Sequence, residues 1–162
     1  GGKNLSGYIH KSRIVFLTSL AAFKKTIRAD TLLELRSDSM VITMSKKEFA
    51  SKDNRITYER TGNGQSYVKL VNGKFPWGTD GNMPRATYKT IRYRSGKTLL
   101  HFPNSLFMDL FEPNLDVTSA YLEKATGKIF LEAANSDGAG SYHVVWIIQH
   151  GRIIHREIFT PF

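Results

Sequence analysis

The chain has 162 residues, 41% of them apolar and 12% aromatic, with a formal charge of +9. That is enough material for one core, removing roughly 70% of the extended chain's surface from water, and the composition is not that of a disordered protein. The absence of cysteine excludes a disulfide framework, a cysteine-based zinc site and a cysteine nucleophile. No run reaches the roughly 18 apolar residues of a membrane-spanning helix.

Residues 1–162 read as a single globular domain. Gly1-Gly2 reads as a cloning remnant, and residues 1–8 are expected to be flexible. The stretch HKSRIVFLTSLAA, 10–22, imitates a signal peptide: basic residues, an apolar run, then Ser19-Leu20-Ala21. A folded element is the preferred reading. Phe16, Leu20, Phe23 and Ile27 fall on one helical face, Ser12 can cap the start, and Lys24, Lys25 and Arg28 suit the negative end of the dipole. The spacing therefore predicts an amphipathic helix over 12–28, with a buried strand at Ile14 to Leu17 as the runner-up. Either way the protein is expected to be soluble, and its composition leaves cytoplasmic and extracytoplasmic settings both open.

From residue 31 the pattern changes to strands. TLLELR (31–36), SMVITM (39–44), RITYER (55–60), SYVKLV (66–71), ATYKTIRYR (86–94), KTLLHF (97–102), TSAYLEKA (118–125), KIFLEAA (128–134), SYHVVWIIQ (141–149) and RIIHREIF (152–159) are rich in β-branched and aromatic residues. The glycine-containing turns TGNGQ, RSGK, ATGK and QHGR predict hairpins and antiparallel pairing. A short helix is expected at 104–111, capped by Asn104 or Ser105 and ended by Pro113. The predicted class is α+β: a meander of antiparallel hairpins with the N-terminal helix packed on one sheet.

Charge is unevenly placed. Residues 1–60 carry 12 basic and 6 acidic groups, 61–100 carry 7 and 1, and 101–162 carry 4 and 7. The middle segment is the densest. With strict alternation along 86–94, Tyr88, Thr90, Arg92 and Arg94 share one side and Lys89, Ile91 and Tyr93 the other. With Arg85 and Lys97 adjacent, and Trp77 as an apolar anchor, this predicts a surface for an acidic protein or another polyanion. Asp109, Glu112 and Asp116 are the carboxylates that could neutralise it. Nucleic acid is the less favoured partner, because the tyrosines suit base stacking but no nucleic-acid motif is present.

Two loops resemble each other, NGKFPWGTDGNMPR at 72–85 and AANSDGAGSY at 133–142, each with an Asp-Gly pair. The preferred reading turns Trp77 inward and has Asp80 lock its turn; the alternative brings Trp77, Asp80 and Asp137 together at the rim of a ligand site. A calcium loop fails, since counting Asn135 as the third position leaves Val144 at the acidic twelfth.

No fingerprint of a hydrolase, metalloprotease, phosphate loop or dinucleotide fold occurs, and no metal or cofactor is expected. A two-residue turn at His150-Gly151 pairs Trp146 with His155 and Val144 with Glu157, which places His155 and Glu157 on the apolar side with Tyr142 and Trp146. The leading expectation is a non-enzymatic binding domain that uses Arg85, Lys89, Arg92, Arg94, Lys97 and Trp77. The alternatives are a small hydrolase or lyase using His155, Glu157 and Asp137, and a small-molecule carrier with its pocket between the sheet and helix 12–28.

Overall fold

The computed structural model describes residues 14–160. It is all-β. The strands in chain order are β1 (Ala21–Ala22), β2 (Lys24–Arg28), β3 (Leu32–Ser37), β4 (Met40–Glu48), β5 (Ile56–Arg60), β6 (Ser66–Val71), β7 (Ala86–Ser95), β8 (Thr98–His101), β9 (Ser119–Glu123), β10 (Lys128–Asn135), β11 (Tyr142–Gln149) and β12 (Arg152–Phe159). They form a first five-stranded sheet, β1-β9-β10-β11-β12, a second, β2-β3-β4-β7-β8, and a separate hairpin, β5-β6. Every strand pair is antiparallel. All ten strand runs expected from residue 31 onward are present, and the four glycine turns join hairpins as anticipated.

The class and layering differ from expectation. Helical structure among the described residues is confined to three-residue 3₁₀ turns, so the α+β assignment is replaced by a two-sheet sandwich. Within the expected helix 12–28, Ile14, Val15 and Phe16 are exposed, Phe16 by 75%; residues 12 and 13, the flexible 1–8 segment and the start of the signal-like stretch lie outside the described residues. The apparent helical stripe fails because Lys24–Arg28 alternates with period two: Lys25 and Ile27 are half-buried while Lys24, Thr26 and Arg28 face water. The chain changes sheets at Phe23, whose buried ring and N–H bond to the Ala120 carbonyl mark the corner between β1 and β2. Without that helix, the expected carrier pocket between sheet and helix is not formed.

The helix expected at 104–111 reduces to a 3₁₀ turn, Asn104–Leu106, ended where Phe107 adopts φ −152°. Tertiary bonds win over the local ones. Trp77 N–H donates to the Asp109 carbonyl and Phe111 N–H to the Trp77 carbonyl, pulling the chain extended across the 72–85 loop. That leaves Phe107, Leu110 and Phe111 free to bury in different directions.

One apolar core joins the two sheets. Leu33, Leu35, Ile42, Met44, Ile91 and Tyr93 from the second meet Ile129, Leu131, Val144, Trp146 and Ile148 from the first. Each of these positions alternates with an outward residue, which is the pattern a sandwich demands. Polar groups within it are satisfied: Tyr88 Oη donates to Asn135 Oδ1, Asn135 Nδ2 to Tyr142 Oη, and Tyr142 Oη to the Phe111 carbonyl. Burial raises the Tyr88 and Tyr142 hydroxyls above the ordinary tyrosine range. The 104–111 segment is anchored by Trp146 Nε1, which donates to the Leu106 carbonyl, and by a two-pronged Arg156–Asp109 pair at 2.9 and 2.7 Å.

Candidate functional site

The outer side of the second sheet can be built strand by strand from its register. One row across the sheet reads Thr26, Glu34, Thr43, Arg92, His101; the next reads Lys24, Arg36, Val41, Arg94, Leu99; a third begins Arg28, Leu32, Ser45, Thr90. Their neighbours Leu33, Leu35, Ile42, Met44, Ile91 and Tyr93 point into the core, so these rows face outward. Among the described residues these rows therefore hold five permanent cations, Lys24, Arg28, Arg36, Arg92 and Arg94, against Glu34 alone, a net of +4. Strand spacing makes it about 19 Å across, with side chains on a grid of about 4.8 by 6.7 Å.

Its single carboxylate is engaged. Arg36 Nε lies 2.6 Å from Glu34 Oε1; that hydrogen bond, helped by the charges of Arg36, Arg28 and Arg94, holds the Glu34 carboxyl below its ordinary range. Glu34 sits among the arginines but does not cancel them. Arg92 and Arg94 are exposed, and among the described residues no salt bridge reaches Arg92, Arg94, Lys89 or Lys97. Asp109 is committed to Arg156, Glu112 to Arg85, and Asp116 receives Lys25 through its backbone carbonyl.

The strand parity expected for 86–94 is corrected at one place. The register of β4 against β7 slips between Ser45 and Lys46, leaving Lys89 unpaired as a bulge. Thr90, Arg92 and Arg94 do share the outer side. Tyr88, on the far side of the bulge, turns inward and is buried, and Lys89 is exposed. Lys97 is exposed beside the β7–β8 turn. Arg85 lies apart from this face: its N–H donates to Glu112 Oε1 at 2.6 Å and its Nε lies 3.4 Å from Oε2. The contributions of Lys24, Arg28 and Arg36 were missed because they sat in a segment read as helix or in a strand considered alone.

The twin loops meet. Ser136 Oγ donates to the Gly78 carbonyl at 2.7 Å, and a Cβ on Gly140 would stand 3.2 Å from both Asp80 Cβ and the Gly78 oxygen. Trp77 is half-buried against the core as expected, 6.2 Å from Tyr142 between ring centres. Asp80 takes φ +47°, but among the described residues no hydrogen bond to its carboxylate holds the turn; Asn82 N–H donates to the Thr79 carbonyl and Asn82 Nδ2 to the Asp80 carbonyl. Two grooves flank the loops. A polar one of about 380 Å³ has Asp80 and Asp137 on its walls. A more apolar one of about 430 Å³ is lined by Tyr67, Phe75 and Trp77. Trp77, Asp80 and Asp137 do converge on this region, although Trp77 and Asp137 line different grooves.

His155 Nε2 and Glu157 Oε2 are 3.0 Å apart, so the pair forms, but on the opposite side from that expected. A bulge between Ile153 and His155 pairs Ile147 with His155 and Val145 with Glu157. That one extra residue, Ile154, sends Arg156 and Ile158 inward in their place. The side chains of His155 and Glu157 are 54% and 62% exposed and line neither groove. Asp137 lies on the polar groove, away from them. His143 stacks on Phe159 at 5.2 Å and lies 3.4 Å from Glu132.

No group of three or more metal-ligating side chains occurs among the described residues, and no helix among them is long and apolar enough to cross a membrane. Comparison of the chain with protein-family models, with curated proteins and with solved structures finds no match.

Proposed function

We propose that this chain is a non-catalytic binding module that recognises an acidic protein surface or another polyanion through the outer face of its second sheet. The observation that carries this reading is the cross-strand grid of Lys24, Arg28, Arg36, Arg92 and Arg94 around one carboxylate. Arginine is suited to it, because its planar fork takes a carboxylate, sulfate or phosphate at two points. Among the described residues the rows of this face carry no aromatic ring other than the His101 imidazole, so they lack the stacking platforms with which proteins hold single-stranded nucleic acid. That weighs for a polyanion without bases.

The test is binding of poly-glutamate, a sulfated polysaccharide and a single-stranded oligonucleotide to the full chain at rising salt. The expected result is affinity for at least one of the first two, falling steeply toward about 1 M salt, where the Debye length is about 3 Å, and abolished in the Arg92→Glu/Arg94→Glu double variant. Affinity indifferent to salt, or retained in the double variant, refutes the reading.

A further inference from the structure

The apolar groove beside the twin loops makes no use of the cationic face and presents a different chemistry. Its central feature is an aromatic corner. Phe75 is 61% exposed and meets Trp77 edge-on, with ring centres 5.1 Å apart and planes at 77°. Trp77 is fixed from behind by Tyr142 and the core. A large exposed aromatic in a monomer carries a cost unless something uses it. The backbone under this corner is also pinned: Val71 and Lys74 exchange N–H bonds, Trp77 N–H reaches Asp109, and Val68 N–H reaches the Gly81 carbonyl. The corner is therefore preformed, as small-molecule sites tend to be.

The polar groups of the groove are mixed in sign and in hydrogen-bonding sense. Tyr67 Oη donates to Glu59 Oε2 at 2.6 Å, and Lys69 Nζ lies 2.9 Å from the same oxygen. Lys69 keeps further N–H donors beyond that contact, and the second Glu59 oxygen and the exposed Asp80 carboxylate offer acceptors. An anionic ligand would meet Glu59 and Asp80, and a cationic one would meet Lys69. A neutral ring bearing several hydroxyls satisfies donors and acceptors together while laying its C–H face on the aromatic corner. Its volume of about 430 Å³ falls in the range of ordinary ligand pockets.

We propose that this groove is a binding site for a neutral saccharide, with Phe75 and Trp77 as the platform and Glu59, Lys69 and Asp80 as the hydroxyl-binding groups. The two tryptophans provide an internal control. Trp77 lines the groove, whereas Trp146 is buried in the core with its indole N–H on the Leu106 carbonyl.

The experiment follows the two indole N–H signals by NMR while the full chain is titrated with neutral tetrasaccharides (cello-, malto- and chito-oligomers), and with benzylammonium and benzoate as charged aromatic controls. The expected result is a saturable shift of the Trp77 signal with at least one tetrasaccharide, a still Trp146 signal, and no comparable response to either control. Phe75→Ala, at an exposed position that leaves the fold intact, weakens binding about tenfold or more, equivalent to about 1.4 kcal/mol. Asp80→Asn, which keeps an acceptor, weakens it less than Asp80→Ala. No shift with any tetrasaccharide, equal response to a charged control, or undiminished binding by Phe75→Ala overturns the proposal.

Discussion

Gly78 occupies a place that other residues cannot fill. Its φ is +94°, and a Cβ there would lie 2.6 Å from the Phe111 carbonyl oxygen and 2.8 Å from Tyr142 Cε1. Both obstacles are fixed, one being backbone and the other a fully buried ring. Gly78→Ala should therefore destabilise by about 3 kcal/mol, combining strained backbone with steric displacement. In a chain of this size that lowers the thermal midpoint by about 6–12 °C; a loss under 2 °C would mean the loop yields. Arg156 and Asp109 offer a second case, with side chains only 15% and 11% exposed. Removing one partner strands the other, so Arg156→Met or Asp109→Asn should cost about 2–3 kcal/mol, somewhat below a fully buried pair. The double variant Asp109→Leu/Arg156→Met should recover much of that, and denaturant midpoints of the three chains decide it. Sequence inspection could list Asp109 as an acidic neighbour for the basic strand, but not its true partner 47 positions away, because that pairing is set by where two distant elements dock.

At the level of elements, strand existence was legible because period-two alternation and glycine turns are local signals. What was not legible were the three single-residue bulges, at Lys89 on β7, Ile154 on β12 and Lys69 on β6. Each reverses the sidedness of everything beyond it, which is why Tyr88 was placed outside and His155 and Glu157 inside. The N-terminal helix failed for a related reason: apolar residues at Phe16, Phe23 and Ile27 match a helical stripe by spacing, yet the chain crosses from one sheet to the other between them. The β12 bulge leads to an unusual expectation. Deleting Ile154 leaves Ile153 opposite Ile148 and His155 opposite Ile147, so the inward Ile153, Arg156 and Ile158 all keep their places. The deletion should fold with a thermal midpoint within a few degrees of the parent. It also straightens an exposed edge strand, and straight edges invite pairing between chains. Sedimentation should accordingly show more self-association in the deletion than in the parent. Deleting Ile147 from β11, which has no spare residue, should instead abolish folding.

The whole molecule is tied together by the Tyr88–Asn135–Tyr142 network, which links the second sheet, the first sheet and the Phe111 segment. Both hydroxyls titrate higher folded than unfolded, where tyrosine sits near pH 10. Their contribution is complete below about pH 10 and is lost as pH rises toward the folded values. Stability should then fall by about 2.7 kcal/mol per pH unit for two groups, and Tyr88→Phe should halve the slope in denaturant titrations. The same whole-molecule view separates a basic hairpin from a basic face. If only β7 and β8 met the partner, neutralising Lys24 or Arg36 on the far strands would leave binding unchanged. On the grid, Lys24 and Arg36 lie in one row with Arg94, within about 15 Å of it by strand spacing; this exceeds the Debye length of about 8 Å at physiological salt, so they act by touching the same extended polyanion and not through Arg94. Lys24→Gln and Arg36→Gln should each weaken polyanion binding and, by analogy with phosphate contacts, each lower the slope of log affinity against log salt by up to about 1. Arg36→Gln also releases Glu34 from its tightest partner, so its effect should exceed that of Lys24→Gln. All three chains should unfold at similar temperatures, since the replaced side chains are exposed and the face repels itself. Equal binding by the Lys24 and Arg36 variants and the parent would confine recognition to the β7–β8 hairpin.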